Sequence, residues 1–417
     1  MKKIILIGPQ AWFVDSFIYF IEKGFKGIVL KISGISFIEN YPILSEIGYD
    51  VIDYDENKFD DIGLDRETLI ISICGFGGVS SMNGIFREFS FNNLEALYKI
   101  SKYNKENNCG AKVIKCFNGD TGFSNNEYLS MLKEKLQYVD VFTFDNSLLE
   151  ELIIKNIDYI KNKKRYILWM ETPLKRYVNK NDTTINEKKY LTLGRIISSI
   201  PIDYMGKLID IGYFFNYYPP LSKNISILLG YIETLKYKTF YIFGIKINIK
   251  KKDVKAKYSL AGIGSFQKIL EDRKLFFENY KNISFGISHF YDILNGSVNS
   301  FIKNKDLFFS INGQDLVNNV NSNIEMYYGF CNNASKDLTY LMNGIIPLIP
   351  HNLHNIYKSM VDKKMAILIN NKKDIYDVLN LTDEQILEYR KNIYENLYIF
   401  TFDNNAEILI NELENNN

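Results

Sequence analysis

The sequence predicts an α/β protein made of two doubly wound parallel-sheet domains. Three observations carry that prediction. Short apolar runs alternate with amphipathic helical segments along the chain, the pattern of parallel strands joined by crossover helices. The alternation breaks once, at a polar, non-periodic stretch near the midpoint, and then restarts. The length of 417 residues also exceeds the roughly 250–300 that a single hydrophobic core organises.

The bulk numbers exclude several classes. Hydrophobic residues make up 46% and aromatics 15%, enough material for two cores. Fifty basic against 49 acidic residues leave a net charge of +1, so wholesale nucleic-acid binding is not expected. Cys74, Cys109, Cys116 and Cys331 show no Cys-x-x-Cys spacing, and only three histidines occur, which argues against a structural zinc site. Cys74 and Cys116 lie in or beside apolar runs and read as small core residues, in keeping with a reducing cytoplasm. The start, Met-Lys-Lys and then Ile4 to Ile7 before Gly8-Pro9, reads as a first strand, too short for a signal peptide. No segment reaches the ~18 uninterrupted apolar residues of a membrane span. A soluble protein of the cytoplasm, or of the inner face of its membrane, is expected.

In the first half, Lys3 to Ile7 is a strand and Gly8-Pro9-Gln10 turns into a helix carrying Phe13, Phe17, Ile18, Phe20 and Ile21. Residues 28–32, 51–52 and 69–74 are further strands, the last followed by Gly75-Phe76-Gly77-Gly78. A helix over 92–103 leads to a strand over 112–117 and the loop Asn118-Gly119-Asp120-Thr121-Gly122. Strands over 139–144 and 165–170 complete a domain spanning 1–175. Right-handed crossovers bring its loops, including Gly8, Gln10, Gly77 and Asp120, to one carboxyl edge, where such sheets bind ligands.

Residues 176–189 form the linker, and a second domain covers 190–380. It opens with a strand at 190–193 and a long connection from Gly194-Arg195 to Lys207. A helix over 221–235 and a strand over 239–243, ending at Gly244, follow. Residues 246–257 carry six lysines interleaved with apolar positions. They read as a solvated loop or edge, or as a patch for a membrane surface or acidic acceptor. Then come a helix over 265–280, strands at 283–286 and 305–309, a helix over 356–361, a strand over 366–369 and a helix over 373–379. Residues 381–417 supply closing helices, whose stripe of Ile386, Tyr389, Ile393 and Leu397 is expected to pack back towards the first domain.

The richest stretch is 329–351. Asn332, Asn333 and Ser335 are good N-cap residues, Asn343-Gly344 is a helix stop, and Ile345 to Ile349 is a buried strand. A helix that opens after a strand and loop offers N–H groups and a positive dipole end to a phosphate. An ordinary capped helix in an αβ unit would leave the same trace.

Two similar-sized doubly wound domains with terminal helices resemble the GT-B glycosyltransferases, which have two Rossmann-like domains facing each other across a cleft. The resemblance to family-4-like members covers roughly residues 190–370. Leu193-Gly194-Arg195 with Lys207 resembles the loop that clamps the donor diphosphate, Thr239 to Gly244 the following strand, and residues 329–349 the donor loop and its helix. Thr339 and Cys331 stand where such enzymes often carry two glutamates.

The resemblance implies a transferase moving sugar from a nucleotide-sugar co-substrate to a glycan, lipid-linked or protein acceptor, as in bacterial surface-glycan biosynthesis. No other cofactor and no metal are implied. Without a metal, the departing diphosphate is stabilised by cations, N–H groups and a helix dipole. The implied donor set is Arg195, Lys207, Gly244, Asn333 and Ser335, with Lys336 as a further contact and Asp337 for a ribose or sugar hydroxyl. An inverting enzyme also needs a base, for which Asp15 and Asp120 are the candidates, with His289 or Glu171 behind them. A retaining enzyme needs none. Two other classes stay open: a non-catalytic sugar-nucleotide-binding partner, and an NAD(P)-dependent oxidoreductase using Gly75-Phe76-Gly77-Gly78.

Overall fold

The structure, a computed structural model, describes residues 2–10, 13–32, 41–73, 85–118, 126–184, 190–192, 208–210, 230–233, 237–242, 245–250, 265–287, 335–350, 354–370, 374 and 377–414. Its first half is β1 (Lys3–Ile7), α1 (Val14–Glu22), β2 (Lys26–Lys31), α2 (Tyr41–Glu46), β3 (Tyr49–Asp53) and β4 (Thr68–Ser72). α3 (Ile85–Glu106), β5 (Lys112–Phe117), α4 (Asn126–Lys135), β6 (Val141–Phe144), α5 (Ser147–Asn156) and β7 (Lys164–Ile167) follow. The strands form one parallel sheet in the order β3-β2-β1-β4-β5-β6-β7, matching the seven runs read from the sequence.

Both faces of this Rossmann-like sheet are covered, which is why its central strands are mostly apolar. Ile4 and Leu6 of β1 meet Phe17 and Phe20 of α1 on one face. Ile5 and Ile7 meet Leu94, Leu97 and Ile100 of α3 on the other. The strand order reverses between β1 and β4, so a crevice is expected at their carboxyl ends.

A second parallel sheet holds β8 (Tyr190–Thr192), β9 (Leu208–Asp210), β13 (Phe285–Ile287), β14 (Ile346–Pro350) and β15 (Ile367–Ile369), in the order β15-β14-β13-β8-β9. Its reversal lies between β8 and β13. Between β9 and β13 in sequence, β10 (Gly230–Glu233), β11 (Tyr237–Ile242) and β12 (Ile245–Lys250) form a separate antiparallel meander. This corrects two expectations. Residues 230–233 are strand where a helix over 221–235 is expected, and the strand before Gly244 lies outside the parallel sheet. Only two residues separate β11 from β12, and so short a connection joins antiparallel strands alone.

α6 (Phe266–Tyr280) is capped by Ser265, which accepts from the Lys268 N–H at 3.1 Å. α7 (Ser335–Met342) ends as expected at Gly344, whose φ of +65° is left-handed. α8 (His354–Asp362) leads to β15, and α9 (Asp383–Asn396) starts with a Thr382–Gln385 capping box. Ile386, Ile393 and Leu397 bury against Leu338, Ile346 and Leu348, so the closing stripe packs on the second sheet, contrary to expectation. The return to the first sheet comes later. The Phe402 N–H donates to Pro173 O at 2.9 Å, and Phe402, Ala406, Leu409 and Leu413 enter the core beside Phe17 and Phe20. The last two lie on or beside α10 (Glu407–Glu414).

Between the two halves, Asn179 and Asn181 are hydrogen-bonded into the second. Asn179 N–H donates to Met342 O at 2.7 Å, and Asn181 Nδ2 donates to Asn343 O at 2.9 Å and Lys281 O at 3.0 Å. Arg390 of α9, 2% exposed, closes the knot. Its Nη1 donates to Thr183 O and Asn181 Oδ1, and its Nη2 to Lys281 O and Ile283 O, at 2.7 to 3.3 Å. Burial lowers this guanidinium to about 10, so it stays ionised at neutral pH.

Arg390→Met should therefore be severely destabilising, by on the order of 3 kcal/mol, since it strips the Thr183 and Ile283 carbonyls of their donor and unties α9 from them. Arg390→Lys should recover only part, because an ammonium cannot span the same acceptors. Melting temperatures of the three proteins decide this; a methionine variant melting with the wild type would remove Arg390 from its role. Gly344→Ala should cost about 2 kcal/mol from its left-handed backbone and more from its new Cβ. That atom would lie 2.6 Å from Asn181 Cβ. Chemical denaturation measures the loss.

Candidate functional site

The described part of the site is the carboxyl edge of the first sheet. Gly8, φ +60°, turns the chain out of β1, where a left-handed backbone suits glycine. Gln10 is 1% exposed, and its Nε2 donates to Ile73 O at 3.3 Å. One buried glutamine thus bridges the ends of β1 and β4 where the strand order reverses. The Gln10 carbonyl accepts from Phe13 N–H at 3.0 Å and leads into α1, whose N-cap position makes no side-chain cap bond.

Further along the edge, Asn118 follows β5, and its Nδ2 donates to Glu171 Oε1 at 3.3 Å. Asp145 and Asn146 follow β6, and Asn146 Oδ1 caps α5 by accepting from Leu149 N–H at 2.9 Å. Just inside the edge, Lys115 is fully buried, its Nζ donating to Cys116 O at 2.7 Å and lying 4.7 Å from the Phe117 ring centre. This edge is rich in amide and carboxylate groups, a composition suited to hydroxyl-bearing ligands.

Asp15 is 6% exposed in the first turn of α1. Both its oxygens accept from Arg273 Nη1 of α6, at 2.9 and 3.0 Å. The Arg273 guanidinium also lies 5.2 Å from the Tyr177 ring centre, and Arg176 lies 4.9 Å from the same ring. Arg176 in turn is bidentate with Glu22 at 2.6 Å, which holds its guanidinium further up, while burial pushes the Tyr177 phenol up. Asp15 is here half of an ion pair between elements. Acting as a base would require that pair to part.

Gly77, Asp120, Arg195, Lys207, Gly244 and Asn333 lie outside the described residues, as do His289 and His351. Ser335 and Lys336 are described only as backbone of the first turn of α7, and Asp337 beside them is fully buried. The edge therefore brings together Gly8, Gln10, Asn118, Asp145 and Glu171. Asn118 and Asp145 each follow a clear strand, and that position was the available signal. Lys115 was visible as a charge inside an apolar run. Arg273 sits on a distant helix, and nothing local marked it.

One Asp-x-Asp triplet, Asp53-Tyr54-Asp55, follows from the end of β3. It sits in a groove also lined by Asp50, Asp61, Lys26 and Lys58. Its carboxylates face lysines: Asp50 to Lys26 at 3.7 Å, Asp53 to Lys31 at 3.5 Å and Asp55 to Lys58 at 3.4 Å. Asp55 also accepts from the Asn57 N–H at 3.0 Å. Among the described residues no group of three His, Cys, Asp or Glu is arranged to hold a metal ion, and no helix is long and apolar enough to cross a membrane.

No known protein family matches the chain, and no curated protein is significantly similar to it.

Gln10→Leu should lower stability by about 1–3 kcal/mol, because the Ile73 carbonyl would stay buried without its donor. The comparison is between melting curves of Gln10→Leu and wild type, and an unchanged midpoint would mean the bridge is dispensable.

Proposed function

We propose that the protein is a glycosyltransferase that moves sugar from a nucleotide-sugar donor to a glycan, lipid-linked or protein acceptor. In this reading the second sheet holds the donor and the carboxyl edge of the first receives the acceptor. The observation that carries it is the pairing of two parallel sheets in one chain, each with its own reversal of strand order. Ligands of open α/β sheets bind at such points, so two reversals supply sites for two substrates. The crossing of the C-terminal segment from the second core to the first is also in keeping with a GT-B arrangement.

On this reading Arg195, Lys207 and the start of α7 near Asn333 and Ser335 take the charge of the departing diphosphate. Glu171, steadied by Asn118, is the described carboxylate best placed to take a proton from an acceptor hydroxyl. Gln10 counts against a dinucleotide oxidoreductase on the first sheet. Its buried side chain fills the β1–β4 junction, where a dinucleotide fold keeps glycines so that pyrophosphate can approach.

Nucleoside diphosphates screened against the melting transition should reveal a stabilising partner, since ligand at 100 times its Kd adds about 2.7 kcal/mol. With the matching nucleotide sugar and acceptor, free nucleoside diphosphate should be released. Arg195→Ala should weaken diphosphate binding about tenfold, ~1.4 kcal/mol, and also lower kcat, because the leaving group gains charge in the transition state. An affinity and kcat within about twofold of wild type, ~0.4 kcal/mol, would remove Arg195 from the donor site. Binding without turnover would point instead to a non-catalytic nucleotide-sugar partner.

A further inference from the structure

We infer that α6 is a structural member shared by the two sheets, so that they unfold as one unit, and that its joint to the first sheet combines one buried apolar anchor, Ile269, with an ion pair and a side-chain-capped helix start. The amino half of the helix belongs to the first sheet. Ile269 is fully buried in the core that contains Phe13, Phe17 and Leu44. Glu46 of α2 accepts from the Phe266 and Gln267 N–H groups at 2.7 and 3.1 Å, satisfying two amides that a helix start leaves without intrahelical partners. Arg273 then meets Asp15 of α1, with side-chain exposures of 16% and 8%.

The carboxyl half belongs to the second sheet. Phe276 and Tyr280 pack with Leu191, Ile283, Tyr340 and Ile345, and the following Lys281 carbonyl is held by both Asn181 and Arg390. From Ile269 to Tyr280 the helix rises about 16 Å, at ~1.5 Å per residue, so one stiff rod crosses from one core to the other. Domains joined by a lone flexible linker have separate cores and separate transitions. Here, separating the sheets would expose Ile269, strip the helix start of its Glu46 acceptors and leave Asp15 facing no guanidinium. The joint also attaches at α1, the helix that opens from the Gly8–Gln10 turn.

The test is native-state hydrogen exchange on the full chain under rising denaturant, with calorimetry beside it. Amides of residues 269–280, of β1 and of β13 should open in one cooperative event, and the wild type should melt in a single transition. Arg273→Met combined with Glu46→Ala should split the melt in two, whereas Arg273→Lys, which keeps the charge, should leave it single. Residues 269–275 opening before both sheets in the wild type would overturn the inference. So would a double variant whose melt shifts without splitting, since the coupling would then reside in the linker and closing segment. If the double variant does not fold, wild-type exchange alone decides, because it needs no variant.

Discussion

The second half depends on one buried cation. Arg390 has no carboxylate partner among its described contacts; it is held by Thr183, Asn181, Lys281 and Ile283 through oxygens that carry only partial charge. A charge in that setting is costly, and the depressed guanidinium expresses that cost. What offsets it is geometry. A planar fork reaches acceptors from residues 181–183 and from the connection between α6 and β13 at once. Two pieces of chain distant in sequence are tied to α9 by a single side chain.

Around that knot the packing follows from exclusion of bulk. Gly344 turns left-handed against Asn181, and Gly286 in β13 lacks a side chain because the Tyr340 ring lies there. A Cβ on Gly286 would fall 2.4 Å from that ring. Tyr340 is itself fully buried, so α7 can lie close on the sheet only where a glycine lets it. The Gly286–Tyr340 contact thus fixes how closely α7 approaches the second sheet.

The first half is organised differently. Its core is apolar on both faces, and polar groups gather at the carboxyl edge and at the contact with α6. There the ion pairs recur beside aromatic rings, Tyr177 between two arginines being the clearest case. Such contacts discriminate register strongly while adding little stability when exposed. They suit a joint that must form in one way only.

The sequence by itself determined the first sheet. Its five inner strands are short, mostly apolar runs buried between helical segments, and burial on both faces makes such runs visible without tertiary knowledge; the edge strands β3 and β7 are half-exposed and mixed in character. It also marked the α6 start at Ser265 and the α7 stop at Gly344, since capping chemistry is local. Of the β10–β12 meander, the strand at β11 was legible. β10 was not, because Gly230 to Glu233 carries no periodicity strong enough to overrule its neighbours, and neither was the antiparallel pairing. The destination of the closing helices escaped too. The stripe of Ile386, Ile393 and Leu397 announces a buried face but cannot say which sheet receives it. Of the site, Gly8 and Gln10 were legible as a turn at a strand end. The pairing of Asp15 with Arg273, and of Asn118 with Glu171, was not. Periodicity reports which side of an element faces inward; only the folded chain decides which two inward faces meet.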